Sequence, residues 1–219
     1  MKRQALVIGL GQFGMSIARA LAAQNVEVLA VDKKEDRTKV AAMFVTEAAC
    51  FDATDEVALA RLSPNKRDVC ICSIGDESKE ASIICTALLK QMGASRVIAR
   101  SNDALTARIL TLIGATEVIN PELEFGKRFA NQIIHSDIRG EMPLGEGVLV
   151  TEVSVPKAFI GKRLRDLALP KTFGITVVAV RTHDTGAVIT PSAETTLSSD
   201  DVIVVVAKDD AVAKMMDSY

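Results

Sequence analysis

The chain has 219 residues, with 26 lysines and arginines against 28 aspartates and glutamates, and its formal net charge at pH 7 is −2. A chain of this length forms one or two domains, and we expect two; the balanced charge disfavours nucleic acid as a partner. No apolar run reaches the roughly 18 residues of a membrane-spanning helix, and the first residues lack a signal-peptide pattern, so we expect a soluble, intracellular protein.

Short β-branched runs alternate with amphipathic segments from residue 4 to about residue 120. This alternation is typical of a parallel, doubly wound α/β sheet, in which a helix crosses between successive strands. The predicted strands are Ala5–Ile8, Val26–Asp32, Ala48–Phe51, Val69–Ile74, Val97–Arg100 and Glu117–Ile119. The predicted helices include Gly14–Ala23, Val57–Leu62, Lys79–Met92 and Ala104–Ile113. Gly93 and Gly114 are expected to end the last two helices in the left-handed conformation.

The pattern changes after Pro121. Residues 122–135 predict a helix with an apolar stripe formed by Leu123, Phe129, Ile133 and Ile134. The segment RGEMPLGEG that follows is rich in helix- and strand-breaking residues and predicts a linker. Residues from 148 onward predict short strands around one small helix at Leu164–Leu169, which is a small α+β module. We therefore divide the chain into a Rossmann-like domain (1–120), a helix with a linker (121–140) and a C-terminal domain (141–219).

The run VIGLGQFG contains the pattern G-x-G-x-x-G at Gly9, Gly11 and Gly14, between a predicted strand and a predicted helix. In nucleotide-binding folds the first glycine allows a tight turn, the second lets the backbone approach a phosphate, and the third lets the helix pack on the sheet. Asp32 ends the second predicted strand, where an acid hydrogen-bonds the ribose hydroxyls of an adenosine. An acid at this position usually repels a 2′-phosphate, although Lys33 and Lys34 directly after it leave the choice between NAD and NADP open. We predict a nucleotide site; the alternative is that the glycines serve packing alone.

Three more loops follow predicted strands and are expected at the same edge of the sheet, where open α/β sheets bind ligands. They are Phe51–Glu56, Ser73–Glu77 and Ala99–Asp103. The residues expected to face the ligand are Asp52 and Ala53 at the adenine, Ile74 and Gly75 beneath the ribose and phosphates, and Arg100 at a phosphate or sugar. Asp55, Asp76 and Asp103 are explained equally well as helix N-caps or turn residues.

The sequence offers no clear catalyst. A dehydrogenase needs an acid or base beside the nicotinamide, commonly His, Tyr, Lys or Glu. His135, His183 and Tyr219 fall outside the predicted nucleotide domain, and we expect them in solvated or structural positions. Cys70 and Cys72 alternate with apolar residues in a predicted strand and are expected to be buried thiols. Metal-ligand spacing, nucleophile elbows and phosphate-loop lysines are missing from the sequence, so binding without turnover is favoured.

Several segments together resemble one family. They are VIGLGQFG, VEVLAVD, DATDE, IGATEVINPELEFGKRFA, IGKRLRDLAL, GITVVAV and DVIVVVA. In this order and spacing, and over nearly its whole length, the chain resembles the RCK (regulator of potassium conductance) proteins, in particular the peripheral subunits of bacterial Ktr and Trk potassium uptake systems. The resemblance implies a Rossmann-like half that binds an adenine nucleotide and a C-terminal half of the TrkA-C type.

Carried over residue by residue, the resemblance implies nucleotide contacts from every loop of the first half. These residues are Gly9, Gly11, Gln12, Phe13, Gly14, Asp32, Lys33, Lys34, Asp52, Ala53, Ile74, Gly75, Asp76, Arg100, Ser101 and Asn102. Glu122 corresponds to a family glutamate near the terminal phosphates and near a divalent or monovalent cation at a dimer interface. Subunits that respond to ATP and ADP carry arginine at the position of Gln12. This departure leaves the nucleotide open: ATP or ADP is expected, and NAD(H) and AMP are the alternatives.

The resemblance also implies partners. Such subunits form homodimers, often assembled into an octameric ring, at the cytoplasmic face of a separate membrane potassium channel or transporter. The helix over residues 122–135 would pack on the second subunit, the alternative being its own sheet. Some relatives bind cyclic di-adenosine monophosphate near the segments that match Ile175–Val178 and Pro191. The predicted function is control of potassium uptake by a nucleotide-binding regulatory subunit, and the alternative is an NAD(P)-dependent oxidoreductase.

Overall fold

The computed structural model describes residues 2–75 and 78–219. The chain divides into two compact units, Met1–Leu123 and Glu124–Tyr219. In the part of the chain that the structure describes, none of the helices has the length and apolar character needed to cross a membrane.

A parallel sheet forms the centre of the first unit. Its strands are β1 (Gln4–Ile8), β2 (Glu27–Asp32), β3 (Glu47–Cys50), β4 (Val69–Cys72), β5 (Val97–Arg100) and β6 (Glu117–Ile119). They are ordered β3-β2-β1-β4-β5-β6, so the chain returns from one edge of the sheet to its centre between β3 and β4. The carboxyl ends of β1 and β4 therefore flank the point where the strand order reverses, which is where open α/β sheets bind ligands.

Helices cover both faces of this sheet. They are α1 (Gln12–Ala23), α2 (Glu35–Ala41), α3 (Glu56–Ala60), α4 (Lys79–Gln91) and α5 (Ala104–Leu112). Leu6 and Ile8 belong to one buried hydrophobic cluster and Val7 to another, because alternate residues of a strand point to opposite faces. Burial on both faces explains why these strands are apolar throughout instead of alternating with polar residues.

The predicted α/β fold of this unit is confirmed. The six predicted strands are present, with ends that differ by no more than two residues. Gly93 and Gly114 have φ values of +81° and +102°, as expected of residues that end helices. Helix α2 is not predicted by the sequence pattern, because five of its seven residues are charged or polar and they show no apolar helical period.

The second unit is an antiparallel sheet with short helices. The division between the units falls within α6 (Pro121–Ile134). The strands are β7 (Ile138–Gly145), β8 (Val148–Ser154), β9 (Thr176–Arg181), β10 (Val188–Ile189) and β11 (Val202–Lys208), in the order β10-β9-β11-β8-β7. The helices are α7 (Leu164–Leu167), α8 (Leu169–Phe173) and α9 (Ala211–Asp217). Phe159, Leu169 and Met215 are fully buried with strand residues in one cluster.

Two predictions for the second unit are wrong. The segment RGEMPLGEG is not a linker, since most of it forms β7, which pairs with β8 through a turn at Glu146 and Gly147. An edge strand tolerates proline and glycine, so Pro143 did not break it. The expectation of only one helix is also wrong. The helix predicted at Leu164–Leu169 is present as α7, but it is interrupted at Ala168, whose φ is +46°, and α8 and α9 follow. The predicted helix over 122–135 is confirmed as α6.

Candidate functional site

The three glycines after β1 have different surroundings. Gly9 has a φ of +89°, and a Cβ added there would lie 2.9 Å from the backbone nitrogen of Ile74. A Cβ on Gly14 would lie 1.9 Å from the carbonyl oxygen of Gly9 and 2.4 Å from Oγ of Ser73. At Gly11, an added Cβ would have no described atom within 4 Å. Gly9 and Gly14 are therefore required for the turn and for packing, whereas Gly11 leaves open space in front of the backbone.

That open space belongs to a cavity of about 420 Å³ at the carboxyl ends of the parallel strands. Each of the loops singled out in the sequence contributes to its wall. The predicted residues that line it are Gly9, Gly11, Gln12, Asp32, Lys33, Lys34, Asp52, Ala53, Ile74, Gly75, Arg100 and Asn102. Residues that sequence reasoning did not select also line it, among them Arg37, Phe51, Ser73, Ser78 and Ala81.

Four predicted residues are described but do not line the cavity. Gly14 packs against Gly9 and Ser73, and Phe13 lies with its ring centroid 5.6 Å from the guanidinium carbon of Arg100. Ser101 is buried, and its hydroxyl donates to the backbone oxygen of Asp103. Glu122 forms an ion pair with Arg100. Asp76, also predicted, lies outside the described residues.

Asp32 is buried at the end of β2 with its carboxylate already engaged. Oδ2 accepts from the backbone N–H of Leu10 at 2.6 Å, and Oδ1 accepts from the backbone N–H of Lys34 at 2.8 Å. The guanidinium of Arg37 lies 3.3 Å from Oδ2. Asp32 therefore fixes the glycine loop and the start of α2 as well as facing the cavity.

The acids in the neighbouring loops have separate roles. Asp52 accepts from the backbone N–H and the hydroxyl of Thr54, and these hydrogen bonds, with the charge of Lys33, lower the pKa of the Asp52 carboxyl. Asp55 and Asp103 accept from backbone N–H groups in the first turns of α3 and α5. The N-cap explanation of these last two residues is confirmed.

Arg100 reaches the cavity from the end of β5. Its side chain is 16% exposed, and its terminal nitrogen is paired with Glu122. The Nε atom of Arg100 is buried and has no hydrogen-bond partner among the described residues. A buried donor without a partner is costly, and an anionic oxygen in the cavity would be a suitable acceptor for a guanidinium N–H.

The cavity wall holds charged and small residues but none of the predicted candidate catalysts. His135, His183 and Tyr219 belong to the second unit, and none of them is among the described residues of the wall. Cys70 and Cys72 are buried free thiols, as predicted. Within residues 2–75 and 78–219, His, Cys, Asp and Glu side chains form no group of three that could hold a metal ion.

The second unit has a smaller cavity of about 280 Å³ between α7, α8 and β9. Thr176, Val177 and Pro191, from the segments predicted to contact a cyclic dinucleotide, line it. Arg165 is the one described cationic residue of its wall, and it is paired with Glu194 and Asp166.

Two domain families match this chain, one in each unit. The TrkA-N domain family matches residues 5–121, and the TrkA-C domain family matches residues 150–218. The chain is 37% identical to Ktr system potassium uptake protein A of Vibrio alginolyticus, over 99% of this chain and 97% of that one. It is 32% identical to Ktr system potassium uptake protein C of Bacillus subtilis, over 94% and 92% of the two chains. Among solved structures, the GsuK RCK domain aligns with a TM-score of 0.64 and 17% identity, over 98% of this chain and 47% of that one, and supports the fold.

Proposed function

Because the chain belongs to the family of TrkA-N and TrkA-C domain proteins that includes the Ktr potassium uptake proteins, we propose that it regulates potassium uptake by binding an adenine nucleotide. The observation that carries the proposal is the convergence of the loops after five strands, β1 to β5, on one polar cavity at the carboxyl edge of the parallel sheet. In the family, proteins similar to this chain over almost their full length are named for potassium uptake and not for an enzymatic reaction.

The cavity offers complementary groups for each part of a nucleotide. The open space at Gly11 and the N-terminus of α1 suit the phosphates, because the first N–H groups of a helix lack partners and attract anions. Asp32 lies where a ribose is bound in folds of this class. Ala53 and Phe51 supply apolar surface for the adenine. The Nε of Arg100, which has no hydrogen-bond partner among the described residues, suits a phosphate oxygen.

ATP or ADP is the nucleotide we propose first, with NAD(H) and AMP as alternatives. Gln12 lines the cavity with an uncharged amide, so it supplies no positive charge for a terminal phosphate. Among the cationic residues of the wall, Arg100 is the one that we propose for that phosphate, and Glu122 partly neutralises it. Discrimination between ATP and ADP would then depend on Arg100 and on the partner subunit.

Regulation requires that the ligand bind two conformations with different affinity, since a ligand with equal affinity for both shifts no equilibrium. We propose a homodimer, assembled further into an octameric ring, as the element with two conformations. The support is α6, none of whose residues is buried and whose side chains Phe125 and Phe129 stack on its surface. A second copy would cover this face. The partner that responds is a separate membrane potassium channel or transporter, with this subunit at its cytoplasmic face.

Two further ligands implied by the family differ in how well the residues fit. Glu122 is about half exposed and is paired with Arg100, so one chain does not supply the donors that a cation needs, and we derive no step through a cation. The cavity of the second unit is mainly apolar, with Arg165 on its wall, and a cyclic dinucleotide there stays a prediction.

An NAD(P)-dependent oxidoreductase is the alternative function. Among the described residues, the cavity wall contains no histidine, tyrosine, glutamate or cysteine to exchange a proton with a substrate. Its two lysines, Lys33 and Lys34, directly follow Asp32 at the ribose end of the cavity. Incubation of the purified chain with NADH or NADPH and a panel of carbonyl compounds separates the two functions. Oxidation of the cofactor at a catalytic rate would favour the reductase.

The proposed function is tested by calorimetry on the full chain with ATP, ADP, AMP and NAD⁺. Arg100→Ala should weaken ADP binding by about tenfold to 100-fold, the range for a lost hydrogen bond to a charged group. Arg96→Ala is the matched control. Arg96 directly precedes β5, the strand that ends at Arg100, but it pairs with Glu117 and does not line the cavity. Absence of binding for all four nucleotides would contradict the proposal, as would equal effects of the two variants.

A further inference from the structure

The guanidinium of Arg100 lies where three segments of the first unit meet. Its Nη2 donates to Oε1 of Glu122, the second residue of α6. Its Nη1 lies beside the loop after β4, since a Cβ added to Gly75 would be 3.4 Å from it. The ring centroid of Phe13, in the first turn of α1, is 5.6 Å from the guanidinium carbon. One side chain therefore joins the cavity loops to the start of α6.

The nitrogens of this guanidinium are unequally satisfied. Nη2 has the carboxylate of Glu122, whereas Nε is buried and has no acceptor among the described residues. The Arg100 side chain is 16% exposed and the Glu122 side chain is 53% exposed. Because a buried N–H without a partner is costly, Arg100 is positioned to take a further acceptor from the cavity that it lines.

A phosphate at this position meets Glu122 as a rival. Nε and Nη2 form one edge of the planar guanidinium, and such an edge binds phosphate or carboxylate through two parallel hydrogen bonds. A phosphate that reaches Nε and Nη2 together must share Nη2 with the carboxylate or replace it. In either case two anions meet at one cation, and like charges at short distance repel. The contact between Glu122 and Arg100 therefore opposes binding of a phosphate at this edge.

We propose that Glu122 is a specificity-determining residue of the nucleotide cavity, where it competes with a terminal phosphate for Arg100. The inference rests on the proposed function, since it concerns the same cavity. A single phosphate in the open space at Gly11 leaves the ion pair intact, whereas a longer phosphate chain reaches Arg100 and displaces Glu122. Glu122 thus lowers the affinity for ADP and ATP relative to AMP. Because Glu122 belongs to the first turn of α6, the exchange occurs at the helix proposed to contact a second copy.

Glu122→Gln tests this competition, because it removes the charge and keeps the size of the side chain. AMP, ADP and ATP are titrated calorimetrically into the full chain in the presence of EDTA, so that no divalent cation screens the carboxylate. We expect ADP and ATP to bind the variant about fivefold more tightly, the upper end for an ion pair between partly exposed side chains. The affinity for AMP should change by less than about twofold, and circular dichroism shows that the variant is folded.

Glu117→Gln is the matched control for the loss of one negative charge. Glu117 is also about half exposed and also pairs with an arginine, Arg96, but neither is among the described residues of the cavity wall. Its substitution should leave the affinities for all three nucleotides unchanged. A gain that appears with both substitutions would come from the net charge and not from competition at Arg100.

A double-mutant cycle shows whether Glu122 acts through Arg100. If the two anions compete for the guanidinium, Glu122→Gln should change ADP affinity by less than about twofold in a chain that already carries Arg100→Ala. Direct repulsion between the carboxylate and the phosphate predicts instead the same gain with and without Arg100.

The outcomes separate the two proposals. If nucleotides bind but Glu122→Gln leaves ADP affinity unchanged or lowers it, the competition is wrong and the proposed function stands. The inference is likewise overturned by an equal gain for AMP, by an equal gain with Glu117→Gln, or by an undiminished gain in the Arg100→Ala chain. If AMP, ADP and ATP bind neither the wild type nor the Glu122→Gln variant, both proposals fail.

Discussion

The two units of the molecule expose different kinds of surface. The first unit buries both faces of a parallel sheet and leaves a concave, polar cavity where the strand order reverses. The second unit contains most of α6, a helix without a single buried residue, and continues into β7, where Met142 and Leu144 are exposed. The polar surface of the first unit suits a small charged ligand, whereas the apolar surface at the start of the second suits another protein surface.

The difference indicates that ligand binding and subunit association use different parts of the chain. The cavity is assembled from loops whose backbone is fixed by the sheet, so it exists within one copy of the chain. The stacked Phe125 and Phe129 have no comparable cover among the described residues. A regulatory subunit needs both properties, since ligand binding in one place must alter contacts in another.

Gly14→Val should have the largest effect, because it disturbs the packing of α1 on the parallel sheet of the first unit. A Cβ at this position would lie 1.9 Å from the Gly9 oxygen, so α1 must shift away from the sheet. We expect a loss of about 3 kcal/mol or more in the unfolding free energy of the first unit. Urea unfolding followed by circular dichroism measures it, and a wild-type transition midpoint would contradict the packing role of Gly14.

Gly11→Val tests the same loop without disturbing its packing. No described atom lies within 4 Å of the added Cβ, and the φ of −66° is one that any residue adopts, so the fold should be retained. The side chain would fill the space that phosphates are proposed to enter, and we expect at least about 100-fold weaker nucleotide binding by calorimetry. A folded variant with wild-type affinity would mean that Gly11 does not adjoin the ligand.

The parallel sheet could be predicted because several kinds of signal coincide in the first 120 residues. Apolar runs of strand length, glycines at helix ends and the glycine loop all indicate the same topology, and local signals that agree specify a fold strongly. Most of the residues proposed to contact the ligand were found for the same reason, since loops after parallel strands meet at one edge. Arg37 was missed because it lies on a short helix whose polar sequence has no visible period.

The second unit was harder to predict because its signals conflict. The residues Gly140, Pro143 and Gly145 predict a linker, yet they lie in β7, an edge strand that pairs only with β8. The interruption at Ala168, which has a positive φ, divides a helix that periodicity predicts as continuous. These features depend on tertiary contacts, which a local pattern does not contain.

Phe129→Asp tests whether the exposed apolar face of α6 is a contact between two copies of the chain. Phe129 is 49% exposed and stacked on Phe125, with ring centroids 5.6 Å apart. If a second copy covers this face, light scattering should give a dimer for the wild type. The variant should dissociate with a loss of about 2 kcal/mol, or roughly 30-fold in the dissociation constant.

The matched control for this substitution is Met43→Asp. Met43 is 76% exposed but follows α2 in the first unit, away from α6 in sequence. Its substitution should leave the association unchanged. A monomeric wild type at micromolar concentration, or equal effects of the two substitutions, would remove α6 from the proposed interface.

The smallest expected effect is the pH dependence that a buried thiol gives to stability. All four cysteines lie in the first unit, and three of them are buried there. Cys70 is fully buried with its sulfur 3.7 Å from the carbonyl oxygen of Pro64. Burial raises the pKa of the Cys70 thiol from 9.0 to about 12, although Arg67 opposes the shift. The folded state therefore holds this proton more tightly than the unfolded state, and the associated stability is present below pH 9 and is lost as the pH rises from 9 toward 12.

Cys70→Ala should therefore flatten the alkaline dependence of stability in the first unit. Between pH 8 and pH 10 the wild type should lose about 1.4 kcal/mol more unfolding free energy than the variant, because one pH unit above the unfolded pKa corresponds to that amount. The constant cost of the cavity left by the thiol cancels when slopes are compared instead of absolute values. Cys50→Ala, which removes an exposed thiol, is the control and should keep the wild-type slope. Parallel slopes for the wild type and Cys70→Ala would show that the buried thiol does not couple folding of the first unit to pH.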